Sequence, residues 1–391
     1  MPPYTPPQSR RRSFLRRREE RDLLRRLSPA DRRAPGVLWR DGREMVDFSS
    51  NDYLGLSAHP DVVEAARETL ERHGAGSGAS RLMSGDLALH HQLEAAIAEL
   101  KGKEAALLVN SGYQANTGLI PALTGRHDAI FADRLCHASL IDGALLSRAR
   151  LFRYDHNDAD HLRRLLEDHR DEFQNALIVT ESVFSMDGDL APLEDLAELK
   201  ETHGCEMLVD EAHATGVFGP RGAGLVEARG LTDRVEFVMG TFSKALGGFG
   251  AYVAADWTDV DYLVNSLRSF IYSTALPPSV VASNLAAVKL CREGHADGAE
   301  LLRRAERFRA DLNETGFDVR GESQIVPVMM GPSEEALGAG RELAERGFLA
   351  VPVRPPTVPR GEARLRISLC SAHTDRQLED LKEALREVAR T

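Results

Sequence analysis

Lysine is scarce in this chain, with six residues against 43 arginines. Both carry charge, but only lysine can form an imine or give up a proton near neutral pH. Each lysine is therefore a candidate for chemistry as well as for charge. Cysteine is scarcer still, and Cys136, Cys205, Cys291 and Cys370 lie far apart. With no CxxC pair there is neither a zinc-ligand spacing nor a disulfide framework, and scattered thiols suit a reducing compartment. Apolar runs long enough to span a bilayer are missing. So are HExxH and GxSxG segments, which leaves no metal or catalytic-triad constellation to consider.

What is present describes an ordinary soluble protein, 42% hydrophobic and 28% charged. A length of 391 residues corresponds to roughly two to three domains. Charge is distributed unevenly. Through residue 43 there are 13 arginines and five acidic residues, so of the total of −11 the remainder carries about −19. A body that acidic is unsuited to binding nucleic acid over a broad face. Ser9-Arg10-Arg11-Arg12-Ser13-Phe14-Leu15 has the look of a twin-arginine signal. It runs on into Arg17-Arg18-Glu19-Glu20 instead of an apolar stretch, so a cytoplasmic location is expected.

In chain order, residues 1–8 are proline-rich and expected to lack regular structure. An amphipathic helix is expected over 13–27, and a hairpin about Asp41-Gly42. Gly74-Ala75-Gly76-Ser77-Gly78-Ala79 imitates a dinucleotide fingerprint, but a polar helix precedes it where a strand is required. A loop close to a ligand or a second subunit fits it better. From residue 104, short apolar runs alternate with helical stretches. Strands are expected at 105–109, 129–132, 150–154, 176–180, 206–210, 235–240 and 250–254, with helices near 112–122, 139–148, 158–171 and 193–203. That rhythm predicts an α/β fold with a mainly parallel sheet covered on both faces. A long helix (279–314), strands at 324–330, 349–353 and 364–369, and helices at 333–346 and 374–389 predict a smaller α+β domain. The expected division is an N-terminal arm and helix (1–50), a large domain (51–278) and a small C-terminal domain (279–391).

In such sheets ligands bind where strands empty into loops. Lys244 stands at the mouth of the strand 235–240, among apolar and glycine neighbours that lower an amine's pKa and make it a Schiff-base nucleophile. Asp210 closes another buried strand, where a carboxylate needs a cationic partner, and a protonated pyridine nitrogen is one. His213 follows three residues later. His137 opens a helix, either as a cap or as a flat ring stacked on a flat cofactor. Asn110-Ser111-Gly112-Tyr113 opens another helix with small residues suited to phosphate, and Thr241 and Ser243 flank the lysine strand with hydroxyls. An electron-sink acid, an imine-forming lysine and hydroxyls at successive strand ends point to pyridoxal 5'-phosphate (PLP).

Asn51-Asp52-Tyr53-Leu54-Gly55, Ser182 through Gly188, Asp210-Glu211-Ala212-His213, Thr241-Phe242-Ser243-Lys244 and Tyr272-Ser273-Thr274 together resemble the α-oxoamine synthases, PLP enzymes of aminotransferase fold type I. The resemblance runs from about residue 20 to the end. Arg354-Pro355-Pro356-Thr357-Val358-Pro359, Ala363 through Ser368 and Gly78 through Gly85 are similar to the biotin-synthesis branch. That resemblance implies decarboxylative condensation of L-alanine with a pimeloyl thioester, either pimeloyl-CoA or a pimeloyl carrier protein, by a homodimer. It implies that Lys244 binds the cofactor and acts as base. Asp210 would pair with the pyridine nitrogen, His213 and Ser185 hold the phenolic oxygen, and His137 stack on the ring. Gly112, Tyr113 and Thr241 would bind phosphate, joined by Thr274 of the second subunit. Asn51 and Arg354 would hold the amino-acid carboxylate near Thr357, and Arg25 the acyl chain. Ser243 stands where close relatives often carry glycine. Sister enzymes that use glycine or serine, a plain aminotransferase, and a binding module without chemistry are the alternatives.

Overall fold

The computed structural model describes residues 7–388. The expectation for residues 1–6 lies outside the described residues, whereas Pro7 and Gln8 already belong to a helix. Three N-terminal strands, β1 (Arg32–Ala34), β2 (Val37–Arg40) and β3 (Arg43–Asp47), form a meander. The β2–β3 turn places Asp41 and Gly42 both at positive φ, 52° and 72°, the two-residue geometry that matches strand twist. The central strands are β4 (Ala105–Val109), β5 (Ala129–Asp133), β6 (Arg150–Tyr154), β7 (Ala176–Glu181), β8 (Glu206–Asp210), β9 (Phe237–Thr241) and β10 (Ala251–Ala255). Four short strands follow: β11 (Ile325–Gly331), β12 (Phe348–Leu349), β13 (Pro352–Val353) and β14 (Ala363–Ser368).

The seven central strands form one sheet in the order β4-β10-β9-β8-β7-β5-β6. Only β10 runs antiparallel to its neighbours. Successive side chains of a strand point to opposite faces, and here each face has its own core. Phe131, Ile178 and Val209 pack on one side, and Ile130, Leu177 and Leu208 on the other. Burial on both sides explains why these strands read as continuous apolar runs. Burying each of these large side chains stabilises the sheet by about 1.5–3 kcal/mol.

Four differences from the sequence reading have physical causes. The first helix spans Pro7–Glu19, not 13–27; Asp22 at φ 54° marks the irregular chain that follows. Phe14, Leu15 and Leu27 are at least half exposed, so no core within this chain holds a helix through residue 27. The expected long helix is two, Pro278–Arg292 and Gly298–Glu314, broken at Gly294 (φ 76°) and restarted by the Asp297 side chain accepting from the Glu300 amide. The expected strand 349–353 is divided between two sheets: β12 joins β3 in parallel, and β13 joins β14. The N-terminal meander is thus hydrogen-bonded to the C-terminal part of the chain. A helix at Ala88–Lys101, unforeseen in the sequence, packs against Pro278–Arg292. Among the described residues no helix is long and apolar enough to cross a membrane.

Candidate active site

The parallel strands align their carboxyl ends along one edge, bringing Asp133, Glu181, Asp210 and Thr241 to neighbouring positions; Glu181 and Asp210 are register partners. Lys244 emerges just beyond β9. Its Nζ lies 2.7 Å from His213 Nε2. Burial is the main force on the amine and pushes its pKa down to about 8; nearby Arg366 adds to the effect, while Asp210 and Glu181 pull the other way. His213 is held well below its usual range, first by burial and then by the charges of Lys244 and Arg366, so its ring is neutral.

Asp210 is 5% exposed. Its Oδ2 accepts from Asn116 Nδ2 at 2.8 Å and its Oδ1 from the Ala212 amide at 2.9 Å. Among the described residues both oxygens take neutral donors and neither takes a cation. A buried carboxylate so placed favours a cationic guest, which is what a protonated pyridine offers. A cavity of about 350 Å³ is lined by Asn51, His137, Ser185, His213, Lys244 and Arg366 among others; Asp210 is not itself in that lining. A wider cavity of about 510 Å³ lies against Asn51, Ser243 and Lys244 as well, so the lysine stands between two spaces.

His137 is a helix cap: its Nδ1 accepts from the Ser139 amide at the start of helix Ala138–Ser147, and the residue also lines the cavity. Desolvation lowers its pKa. At helix Gly112–Leu123, Ser111 takes the Gln114 amide with its side chain, and Gly112 and Tyr113 head the positive end. Tyr113 is half exposed and bonds Asp142. Thr241 Oγ1 donates to the Gly250 carbonyl at 2.7 Å and lies 2.8 Å from Ser243 Oγ. Thr274 is exposed and, through its carbonyl, holds Asn110; within one chain it does not line the cavity of Lys244.

The arginines are distributed differently from the expectation. Arg354 does not line either cavity: its Nη2 donates to the Leu24 carbonyl, and Arg25 donates to Thr357 Oγ1 at 3.1 Å. Burial and then repulsion from Arg25 lower the Arg354 pKa, so these two arginines form a crowded cationic patch outside both cavities. The arginine brought to Asn51 is Arg366. It is 8% exposed and donates from Nη1 to Asn51 Oδ1 (3.2 Å), from Nε to the Ser185 carbonyl (2.6 Å) and from Nη2 to the Tyr53 hydroxyl (3.3 Å). Two residues earlier, fully buried Arg364 bonds Asp187 from the same strand face. Two arginines at i and i+2 in an apolar strand were a legible sign of a polar site beneath that face.

Other residues passed unnoticed in the sequence. Buried Lys101 pairs with Glu211 at 2.7 Å, and Glu211 also takes the Val226 amide, tying down the loop that leads from Asp210 at the end of β8 to His213. Glu181 accepts the His137 amide at 2.6 Å, and burial followed by the Asp210 charge raises its carboxyl to about 8. Scarcity flags Lys101 and the end of an apolar strand flags Glu181, but only the packed structure shows which groups each one meets.

The family model for aminotransferase class I and II matches residues 43–385. An 8-amino-7-oxononanoate synthase from Geobacter sulfurreducens is 49% identical over 96% of this chain and 97% of its own. One from Geotalea daltonii is 51% identical over 90% of both. Among solved structures, an SPT (serine palmitoyltransferase) with PLP internal aldimine superposes with a TM-score of 0.94, at 30% identity over 99% of both chains. The two curated relatives are about twenty percentage points more identical to this chain than that SPT structure is. The chain therefore belongs to the aminotransferase class I and II family of PLP-dependent enzymes, in the branch whose relatives are named 8-amino-7-oxononanoate synthase.

Proposed function

We propose that this chain condenses L-alanine with a pimeloyl thioester to give 8-amino-7-oxononanoate, CO₂ and a free thiol. The observation that carries the reading is the cluster in which a depressed lysine amine, Lys244, shares one cavity with an arginine–asparagine pair, Arg366 and Asn51. PLP, when bound, supplies an electron sink for the carbanion formed at the amino-acid Cα.

The residues divide the remaining work. Lys244, titrating at about 8, takes the Cα proton as an amine and returns it as an ammonium. When PLP is bound, Asp210 would hold its cationic ring nitrogen, His137 would cover the ring, and His213 and Ser185 would serve its oxygen. Gly112 and Tyr113 at a helix start, with Thr241, would receive the phosphate. Arg366 and Asn51 bind and orient the alanine carboxylate, a role that the resemblance assigned to Arg354. The new carbon–carbon bond forms as the thioester's carbon–sulfur bond breaks and the thiol leaves. The carboxylate then departs as CO₂, and Lys244 reprotonates the carbon. Arg25, Thr357 and Arg354 form the cationic patch that suits the distal carboxylate of the pimeloyl chain. The active unit is a cytoplasmic homodimer, in which Thr274 of one protomer completes the phosphate site of its partner.

Purified enzyme assayed with alanine, glycine and serine against pimeloyl-CoA and pimeloyl carrier protein is expected to release CO₂ and the free thiol with alanine. Preference for glycine or serine would overturn the substrate assignment. Lys244→Arg keeps the charge but cannot form an imine, and is expected to lose turnover and the cofactor's absorbance band together.

A further inference from the structure

Tyr53 stands behind His213 with no exposed surface. A ring packed in a core needs no hydroxyl, and phenylalanine would fill the same volume. The Tyr53 oxygen lies 2.7 Å from His213 Nδ1, 3.0 Å from Asn51 Oδ1 and 3.3 Å from Arg366 Nη2. Arg366 can only donate, which also fixes the orientation of Asn51: the atom accepting from Arg366 Nη1 must be the amide oxygen. Asn51 Oδ1 can only accept. His213, being neutral, can do either through Nδ1, and its other nitrogen faces Lys244.

With one phenolic proton to place, two arrangements satisfy every group. In one, Tyr53 donates to Asn51 and accepts from His213 Nδ1–H, which leaves Nε2 bare to accept from Lys244. In the other, Tyr53 donates to a bare Nδ1, so Nε2 carries the proton and donates forward. An ammonium offers only protons, and therefore requires the first arrangement. A phenolic oxygen offers lone pairs, and requires the second.

We propose that Tyr53 is a positioning residue that, acting through His213, selects which imidazole nitrogen carries the proton and so whether His213 accepts from or donates to the group at Lys244. The inference rests on the reading that PLP is held at Lys244; it is independent of which amino acid or acyl donor is used. The test is nitrogen NMR of the full chain labelled with ¹⁵N-histidine at pH 7, with PLP bound and after its removal, His213 being assigned by its loss in His213→Gln. The expected result is Nδ1–H without PLP and Nε2–H with it. In Tyr53→Phe the tautomer ratio is expected to be the same in both states, with kcat down about tenfold and the KM for alanine within twofold. An unchanged tautomer in the wild type, or a wild-type response in Tyr53→Phe, overturns the proposal. Should Tyr53→Phe fold poorly, 3-fluorotyrosine at position 53 keeps the shape and strengthens the donor. It is expected to raise the Nε2–H fraction without PLP, and no change there counts equally against the idea. A failed turnover assay alongside an intact tautomer change would refute the substrate assignment alone.

Discussion

Replacing Arg366 with methionine separates the two arginine assignments. Methionine keeps most of the apolar stem and removes every donor. The bonds to Ser185, Asn51, Ser368 and Tyr53 occupy four of the five guanidinium N–H groups and leave one on Nη2 for a carboxylate. A charge-assisted hydrogen bond contributes about 1.5–3 kcal/mol, so its loss weakens alanine binding by about that much. At about 1.4 kcal/mol per tenfold, the lower bound predicts a KM for alanine raised roughly tenfold, with Asn51 left as the sole partner. The same change strips donors from the Ser185 carbonyl and Asn51, so kcat is expected to fall too. Arg354→Met is the contrast. Its guanidinium serves the Leu24 carbonyl beside Arg25, so the KM for alanine is expected to stay within twofold while that for the pimeloyl thioester rises about tenfold. Steady-state kinetics with each substrate varied in turn, on proteins whose melting temperatures have been compared, decides the matter. A large alanine KM effect in Arg354→Met and a small one in Arg366→Met would refute the reasoning.

Two stability predictions concern the supports of the site. Lys101→Met leaves Glu211 charged and buried without its partner, a loss of about 3–5 kcal/mol. Urea unfolding measures it, and a change below about 1 kcal/mol would show that the pair does not anchor the Asp210–His213 loop. His156 lies between Asp133 (3.0 Å) and Asp189 (2.7 Å); burial opposes its charge, but the two carboxylates prevail and raise its pKa to about 10. A raised histidine stabilises fully below its unfolded value near 6.5 and loses that contribution as pH climbs toward 10. The stability gap between wild type and His156→Asn is expected to be wide at pH 6 and to narrow by pH 10; a gap independent of pH would contradict this.

Local text was sufficient for most of the sheet, because a strand buried on both faces must be apolar throughout. The bounds expected for β4, β6 and β8 coincide with those observed. It was also sufficient to nominate Lys244, Asp210 and His213, since a scarce lysine at the mouth of an apolar strand and an acid ending another are conspicuous in one dimension. Long-range choices were not legible. Whether Arg354 or Arg366 meets Asn51 depends on how β14 docks beside the Ser185 loop, a contact between residues more than 180 apart in the chain. Nor does any local signal show that residues 348–353 serve two sheets, or that Tyr53 reaches His213. Composition and periodicity thus determined which elements form and which chemistry is available. Only packing decided which side chains share a cavity, because proximity across a folded sheet has no imprint in sequence order.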